Sequence, residues 1–150
     1  MRGMAISVPA AARDDYALAR AYLRRDPVER RIFDRLEHSA RRYQLSINDR
    51  NDDHFDPSTD TIAWDPHSAL RTTSGGRQSP ALGLGHEADH AVESRSRERI
   101  LNARSDPRYD TREERRVICG SERHAARTLG EAGRSDHTGT CYRVSTPVSR

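Results

Sequence analysis

His86-Glu87-Ala88-Asp89-His90 sets two imidazoles four residues apart with a carboxylate between them. On a helix that spacing turns the second histidine to within about 40° of the first, one turn further on, so both rings can reach one metal ion. Glu87 projects beside them. A carboxylate there can hold a water at the metal and take its proton, while zinc lowers that water's pKa and polarises a substrate carbonyl. The spacing therefore points to peptide-bond hydrolysis, with Zn2+ on His86 and His90 and Glu87 as general base. The plainer alternative is an ordinary helix carrying two solvated histidines.

A catalytic zinc takes three protein ligands and keeps one position open. A metzincin continuation fails, because Ser96 stands where its third histidine would fall and Glu93 where its glycine would. Glu93 shares the histidines' face but lies about 10 Å beyond His86 along a continuous helix. The third ligand should come from a later helix, a gluzincin-type arrangement. A helix expected over residues 111–129 offers Glu113, Glu114 and Glu122. Val117, Ile118, Ser121, Ala125 and Leu129 define its inward face. Glu114 points into the middle of that arc, Glu122 falls on its flank, and Glu113 falls outside with Asp110 as a cap. A carboxylate aimed at the core must find a partner, and zinc is the best available. Glu114 is thus the expected ligand, with Glu113 and Glu122 as its rivals. The competing role for Glu114 is one half of a capping box with Thr111.

Other elements must hold this pair of helices. Ser79-Pro80 is a cap and first-turn pair for the histidine helix, expected to run to about residue 94. Upstream, residues 14–25 suit a first helix. Pro27 opens a second in which Val28, Ile32, Leu36 and Ala40 recur at four-residue spacing with Phe33 beside them. Leu45 and Ile47, then Ile62 and Trp64, alternate with polar residues, which predicts two short strands pairing across the loop between them. The strand with Ile62 and Trp64 is expected at a sheet edge beside the site, where it could align an extended substrate by strand addition. Asp49, Asn51, Asp53 and Asp60 fall at calcium-loop positions, but His54 replaces the turn glycine, and side-chain-capped turns explain the same residues. A Ser/Thr/Gly loop covers residues 71–78. The tail reads as a turn at residues 136–140 leading into a short strand, and the first 13 residues read as loosely held. The expected fold class is α+β. It is a compact zincin-like domain over residues 1–150, with the H-E-x-x-H helix, a small, mostly antiparallel sheet and a second, ligand-bearing helix.

Composition narrows the function classes. The chain has 150 residues, 33% hydrophobic and 33% charged, which suits one small core under an ionic surface. No run is long and apolar enough for a membrane span, and the N-terminus lacks a Sec-type pattern. Cys119 and Cys141 cannot staple a secreted scaffold, so a reducing compartment is the simpler reading, with one bridge still open. All 26 basic residues are arginine, and no lysine occurs. A GC-rich genome explains this. So does work inside a eukaryotic cytosol, where lysine is the ubiquitin acceptor. A net charge of +3, with arginines interleaved among acids, gives no strong sign of nucleic-acid binding.

From residue 61 to 144 the sequence resembles the NleD-like and XopG-like secreted effector zinc peptidases, which are related in motif to clostridial neurotoxin light chains. The resemblance is carried by Thr61-Ile62-Ala63-Trp64-Asp65-Pro66, by Ser79-Pro80-Ala81-Leu82-Gly83-Leu84-Gly85-His86-Glu87 and by Glu113-Glu114-Arg115-Arg116-Val117-Ile118. It continues in Leu129-Gly130-Glu131 with Arg134, Asp136, His137, Gly139 and Tyr142. Gly85 and Asp89 depart from the small or apolar residues usual around the histidines. The resemblance implies delivery by a bacterial secretion system into the host cytosol and cleavage of a host signalling protein. Related domains also form the tips of polymorphic toxins, whose target is another bacterium. A tail donor is expected to stabilise the oxyanion, with His137, Tyr142 and Arg134 as candidates. The rival readings are a non-catalytic, zinc-stabilised interaction module and an arginine-rich nucleic-acid binder.

Overall fold

Pro27 at the first helical position and Asp26 before it start a helix as the sequence predicts, because the Asp26 carboxylate accepts from the Val28 and Glu29 N–H groups. The structure is a computed structural model that describes residues 3–93, 100 and 104–150. Helix α1 spans Arg13–Leu23 and α2 spans Pro27–Glu37. Ile32, Phe33 and Leu36 are buried, whereas Ala40 lies beyond the end of α2 and is exposed.

The main sheet is built from β1 (Ile6–Ser7), β2 (Tyr43–Ile47), β3 (His54–Asp56) and β4 (Thr61–Trp64), in the order β1-β2-β4-β3. The two expected strands do pair, Leu45 opposite Ile62, but in parallel. The loop between them makes this possible, since it contributes β3, which returns antiparallel along the far side of β4. The sheet is therefore mixed, and its antiparallel part is the β3–β4 pair. β4 is an interior strand and Trp64 is wholly buried, its indole N–H donating to the Pro80 carbonyl. The edge strands are β1 and β3, so the expected edge position of the Ile62 and Trp64 strand is corrected. The N-terminal segment, expected to be loosely held, is anchored in the core: Ile6 pairs with Tyr43, and Ala5, Ile6 and Ala12 are buried.

A second sheet contains β5 (Ser68–Arg71), β6 (Arg77–Gln78) and β9 (Thr140–Arg143), with β5 central. Between β6 and β9 in sequence lie α3 (Pro80–Val92), the short pair β7 (Ser105–Asp106) and β8 (Asp110–Thr111), α4 (Arg112–Val117) and α5 (Arg123–Leu129). α3, expected to run to about residue 94, ends at Val92, because Glu93 turns to extended backbone at φ −70° and ψ 120°. The helix predicted over 111–129 is interrupted: residues 118–122 form a π-type turn in which Gly120 leaves helical geometry, at φ −102° and ψ −108°. No helix among the described residues is long and apolar enough to cross a membrane. Cys119 and Cys141 are both free and exposed.

Every residue of α3 except Gly83 is buried. A helix covered all round sits at the centre of a fold. Leu82, Leu84, Ala88 and Ala91 share one core with Tyr16 and Leu23 of α1, Phe33 and Leu36 of α2, and Ile62 and Trp64 of β4. Two glycines let neighbours approach this helix. A Cβ on Gly85 would stand 2.8 Å from the Oε2 of Glu29, and one on Gly83 would stand 2.3 Å from the Oδ2 of Asp53.

Glu29 is buried, and its Oε2 has no hydrogen-bond partner among the described residues. Burial, with Asp89, Asp26 and Glu122 nearby, holds its carboxyl well above the usual range. A carboxyl with a raised folded pKa contributes stability at low pH. That contribution is lost as pH rises above about 4.3 towards the folded value. Glu29→Gln keeps the neutral form at every pH, so it is expected to raise the thermal midpoint more at pH 8 than at pH 5. Equal increments in thermal melts at the two pH values would contradict the assignment.

Candidate metal centre

The motif lies on α3 as predicted, and four-residue spacing brings the two rings together. The Nε2 atoms of His86 and His90 are 3.1 Å apart, with the rings at 74° to each other. Two nitrogens bound tetrahedrally at about 2.0–2.1 Å from one zinc ion would be about 3.3 Å apart. Both residues are buried, as is Glu87 beside them. His86, Glu87 and His90 form a group whose ligand atoms lie within 4.8 Å of one another, and this group could hold a metal ion.

Glu114 reaches both of these nitrogens. Its Oε2 is 2.6 Å from His86 Nε2 and its Oε1 is 3.1 Å from His90 Nε2. The Thr111 side chain caps α4 by accepting from the Glu114 N–H, and this cap does not hold Glu114 away from the site: its backbone serves the cap while its carboxylate turns to the histidines. The reciprocal half of the box is missing, because the Thr111 N–H goes to the Tyr109 carbonyl. Asp110 is not the cap.

The two rival glutamates are also at the site, on the other ring nitrogens. Glu113 accepts from His90 Nδ1 at 2.7 Å and Glu122 from His86 Nδ1 at 2.8 Å. An Nδ1–H held by a carboxylate fixes the tautomer that leaves Nε2 free for a metal. Each carboxylate is itself held by an arginine. Arg116 binds both Glu113 oxygens, at 2.8 and 2.9 Å, and Arg134 binds both Glu122 oxygens, at 2.9 and 2.5 Å. Asp89 belongs to the same system, accepting from Arg116 at 3.0 Å and from the Ser121 hydroxyl. The polar residue inside the motif thus anchors the arginine that holds the glutamate that orients His90.

Glu113 was expected outside the inward face and Glu122 on its flank, yet both are buried. In an unbroken helix, residues nine apart point in opposite directions, at about 100° per residue. A π-type turn inserts about one extra residue. That removes about 100° and brings Glu113, Glu114 and Glu122 onto one arc. Gly120 is the local signal for this break.

Electrostatics follow from four carboxylates around two imidazoles. Burial opposes charge on His86, but Glu87, Glu114 and Glu122 override it and raise its pKa well above the usual value. His90 is pushed up to about 9 against the pull of burial by Glu113 and Glu114. Burial also opposes ionisation of the glutamates. Bonds to His137, His86 and His90 nevertheless hold Glu114 far below the usual range, and Arg116 and Arg134 hold Glu113 and Glu122 at about 2. Glu87 stands apart. Burial pushes its carboxyl up, and its closest charged partner, His86 Nε2, is 3.9 Å away.

Of the tail residues, His137 is at the site, its Nε2 3.4 Å from Glu114 Oε2 and its ring 6.5 Å from that of His86. Arg134 is committed to Glu122, with Nη2 3.4 Å from His86 Nδ1. Tyr142 is not brought to the histidines. On β9 successive side chains alternate faces, so Cys141 opposite Leu70 faces the cleft, whereas Tyr142 opposite Ala69 turns away beneath Arg77, its hydroxyl unpartnered. The capped turn in the loop suggested for calcium is made by Asn48, whose Oδ1 accepts from the Arg50 and Asp52 N–H groups, while Asp53 Oδ1 accepts from the Asp65 N–H on a distant segment. Ser79 does not cap α3 with its side chain; its N–H and hydroxyl both donate to Glu131.

Two cavities, of about 400 and 310 Å³, flank the centre. His86 and Arg134 line the larger, His90 and Glu114 the smaller, and Asp53, Glu87 and His137 line both. The smaller is also lined by His54 and Phe55 of β3, so the strand beside the site is β3 and not β4. Comparison with protein-family models, curated proteins and solved structures finds no significant match to this chain.

Proposed function

We propose that this chain is a zinc-dependent endopeptidase of gluzincin type, with His86, His90 and Glu114 as metal ligands and Glu87 as general base. The observation that carries the reading is the convergence of two Nε2 atoms 3.1 Å apart on one glutamate from a different helix, with an uncommitted buried carboxylate beside them. Two imidazoles and a carboxylate suit zinc in a catalytic set, whereas structural zinc sites are closed and rich in cysteine. The flanking cavities favour the catalytic case.

Zinc bound here would lower the pKa of a water and polarise the substrate carbonyl. The chain's own groups supply the rest. Glu87 takes a proton from the attacking water as its oxygen bonds to the carbonyl carbon, then returns that proton to the leaving nitrogen as the C–N bond breaks. A carboxyl raised towards the working pH suits both transfers. His137, on the cleft side of Glu114, is the donor for the developing oxyanion. Glu113 with Arg116, and Glu122 with Arg134, hold the imidazoles in their ligating orientation.

The wider reading rests on the resemblance of the quoted motifs to secreted effector peptidases, and on the missing lysines. It is delivery by a bacterial secretion system and hydrolysis of a signalling protein in the host cytosol. N-terminal proteomics of host lysate treated with the zinc-loaded protein tests it. New N-termini that are absent with Glu87→Gln are expected, and identical N-terminal profiles for the two forms would contradict it.

A further inference from the structure

Apart from Glu29 and Glu87, the buried acids among the described residues are paired. Asp26 meets His124 and Thr128, Glu37 meets Arg20 and Tyr16, Asp65 meets Arg143, Asp89 meets Arg116, and Glu131 meets Tyr22 and Ser79. Asp53 is different. One of its oxygens accepts the Asp65 N–H at 2.7 Å, while Oδ2 has no donor among the described residues. Asp53 lines both cavities beside Glu87, and α3 carries a glycine at position 83 where any Cβ would stand 2.3 Å from that oxygen. The helix thus leaves room for an unpaired carboxylate next to the reacting groups. No arginine among the described residues lines the smaller cavity, and the one arginine of the larger, Arg134, is held by Glu122.

We propose that Asp53 is the specificity residue of this cleft and receives a basic side chain, lysine or arginine, from the substrate. The assignment rests on the peptidase reading. Alone, the carboxyl is pushed up to about 8 by burial, with Glu87 and Asp65 adding to it. A cation arriving at hydrogen-bond distance reverses that balance, since an opposite charge within about 4–6 Å favours the ionised acid. A neutral side chain in the same place leaves the carboxyl without a partner, and this contrast is what discriminates between substrates.

The test uses the zinc-loaded protein on a peptide library prepared from a digested proteome, followed by matched peptides that carry lysine or norleucine at the selected position. Lysine and arginine are expected to be enriched at one fixed position relative to the cleaved bond. kcat/KM for the lysine peptide should exceed that for the norleucine peptide by about 10- to 100-fold, the range of a charge-assisted hydrogen bond. Asp53→Asn, which keeps an oxygen for the Asp65 N–H, should remove the preference while still cutting the norleucine peptide. Cleavage by the wild-type protein with no basic enrichment, which needs no variant to observe, overturns the proposal and leaves the peptidase reading intact. Enrichment that survives Asp53→Asn does the same. No Glu87-dependent cleavage of any peptide would overturn both.

Discussion

Glu87→Gln is expected to keep the fold and the metal while lowering peptide hydrolysis by about 10²- to 10⁴-fold, the usual contribution of a positioned general base. The substitution is nearly isosteric, so the packing of this buried α3 side chain survives. Gln can still hold a water by hydrogen bonds, but it cannot accept and return a proton. The loss should therefore fall on kcat, with KM little changed. Glu87 also lacks the arginine that immobilises Glu113 and Glu122, which leaves its carboxylate for chemistry. Kinetics on any peptide found by N-terminal proteomics provide the measurement. A variant that retains full kcat would remove Glu87 from the mechanism. One that loses metal as well as activity would make it a ligand.

Glu114→Ala is expected to weaken zinc binding by orders of magnitude. It removes the carboxylate that, among the described residues, touches both Nε2 atoms, leaving two ligands where a catalytic site needs three. Glu113→Ala and Glu122→Ala remove partners of Nδ1, and such outer partners are worth about 10- to 100-fold in metal affinity. The three variants should therefore rank with Glu114→Ala clearly worst in zinc titrations against a competing chelator. Both neighbours also unbalance an arginine, Arg116 or Arg134, so their folding requires a check by circular dichroism before affinities are compared. Zinc retained by Glu114→Ala and lost from Glu113→Ala or Glu122→Ala would show that the ligand is the wrong glutamate.

Local periodicity was enough to locate α3 and to bring His86, Glu87 and His90 onto one face, because a four-residue spacing has the same geometry in any unbroken helix. It also singled out Glu114, which lies before the irregular turn and keeps its phase with the buried Val117 and Ile118. Glu122 lies beyond Gly120, and its phase depends on a π-type turn that composition does not announce. Glu113 was misplaced for a related reason: the face that buries it is set by His90 and Arg116 and not by the apolar stripe. The i,i+3 pairing of Glu113 with Arg116 was a readable signal for that role. Strand sense was not legible. Alternation in residues 43–47 and 61–64 reads the same for parallel and antiparallel partners, and only the insertion of β3 makes the pairing parallel. Tyr142 shows the limit of motif reading most clearly. A shift of one residue on β9 exchanges it for Cys141 at the cleft.

The central claim is that the histidine pair and Glu114 form a zinc site, and metal analysis of the purified protein tests it most directly. After reconstitution with zinc and removal of excess metal, elemental analysis should find close to one zinc ion per chain, and His86→Ala should abolish that binding. Zinc near zero in correctly folded wild-type protein, or full occupancy that survives His86→Ala, would contradict the account.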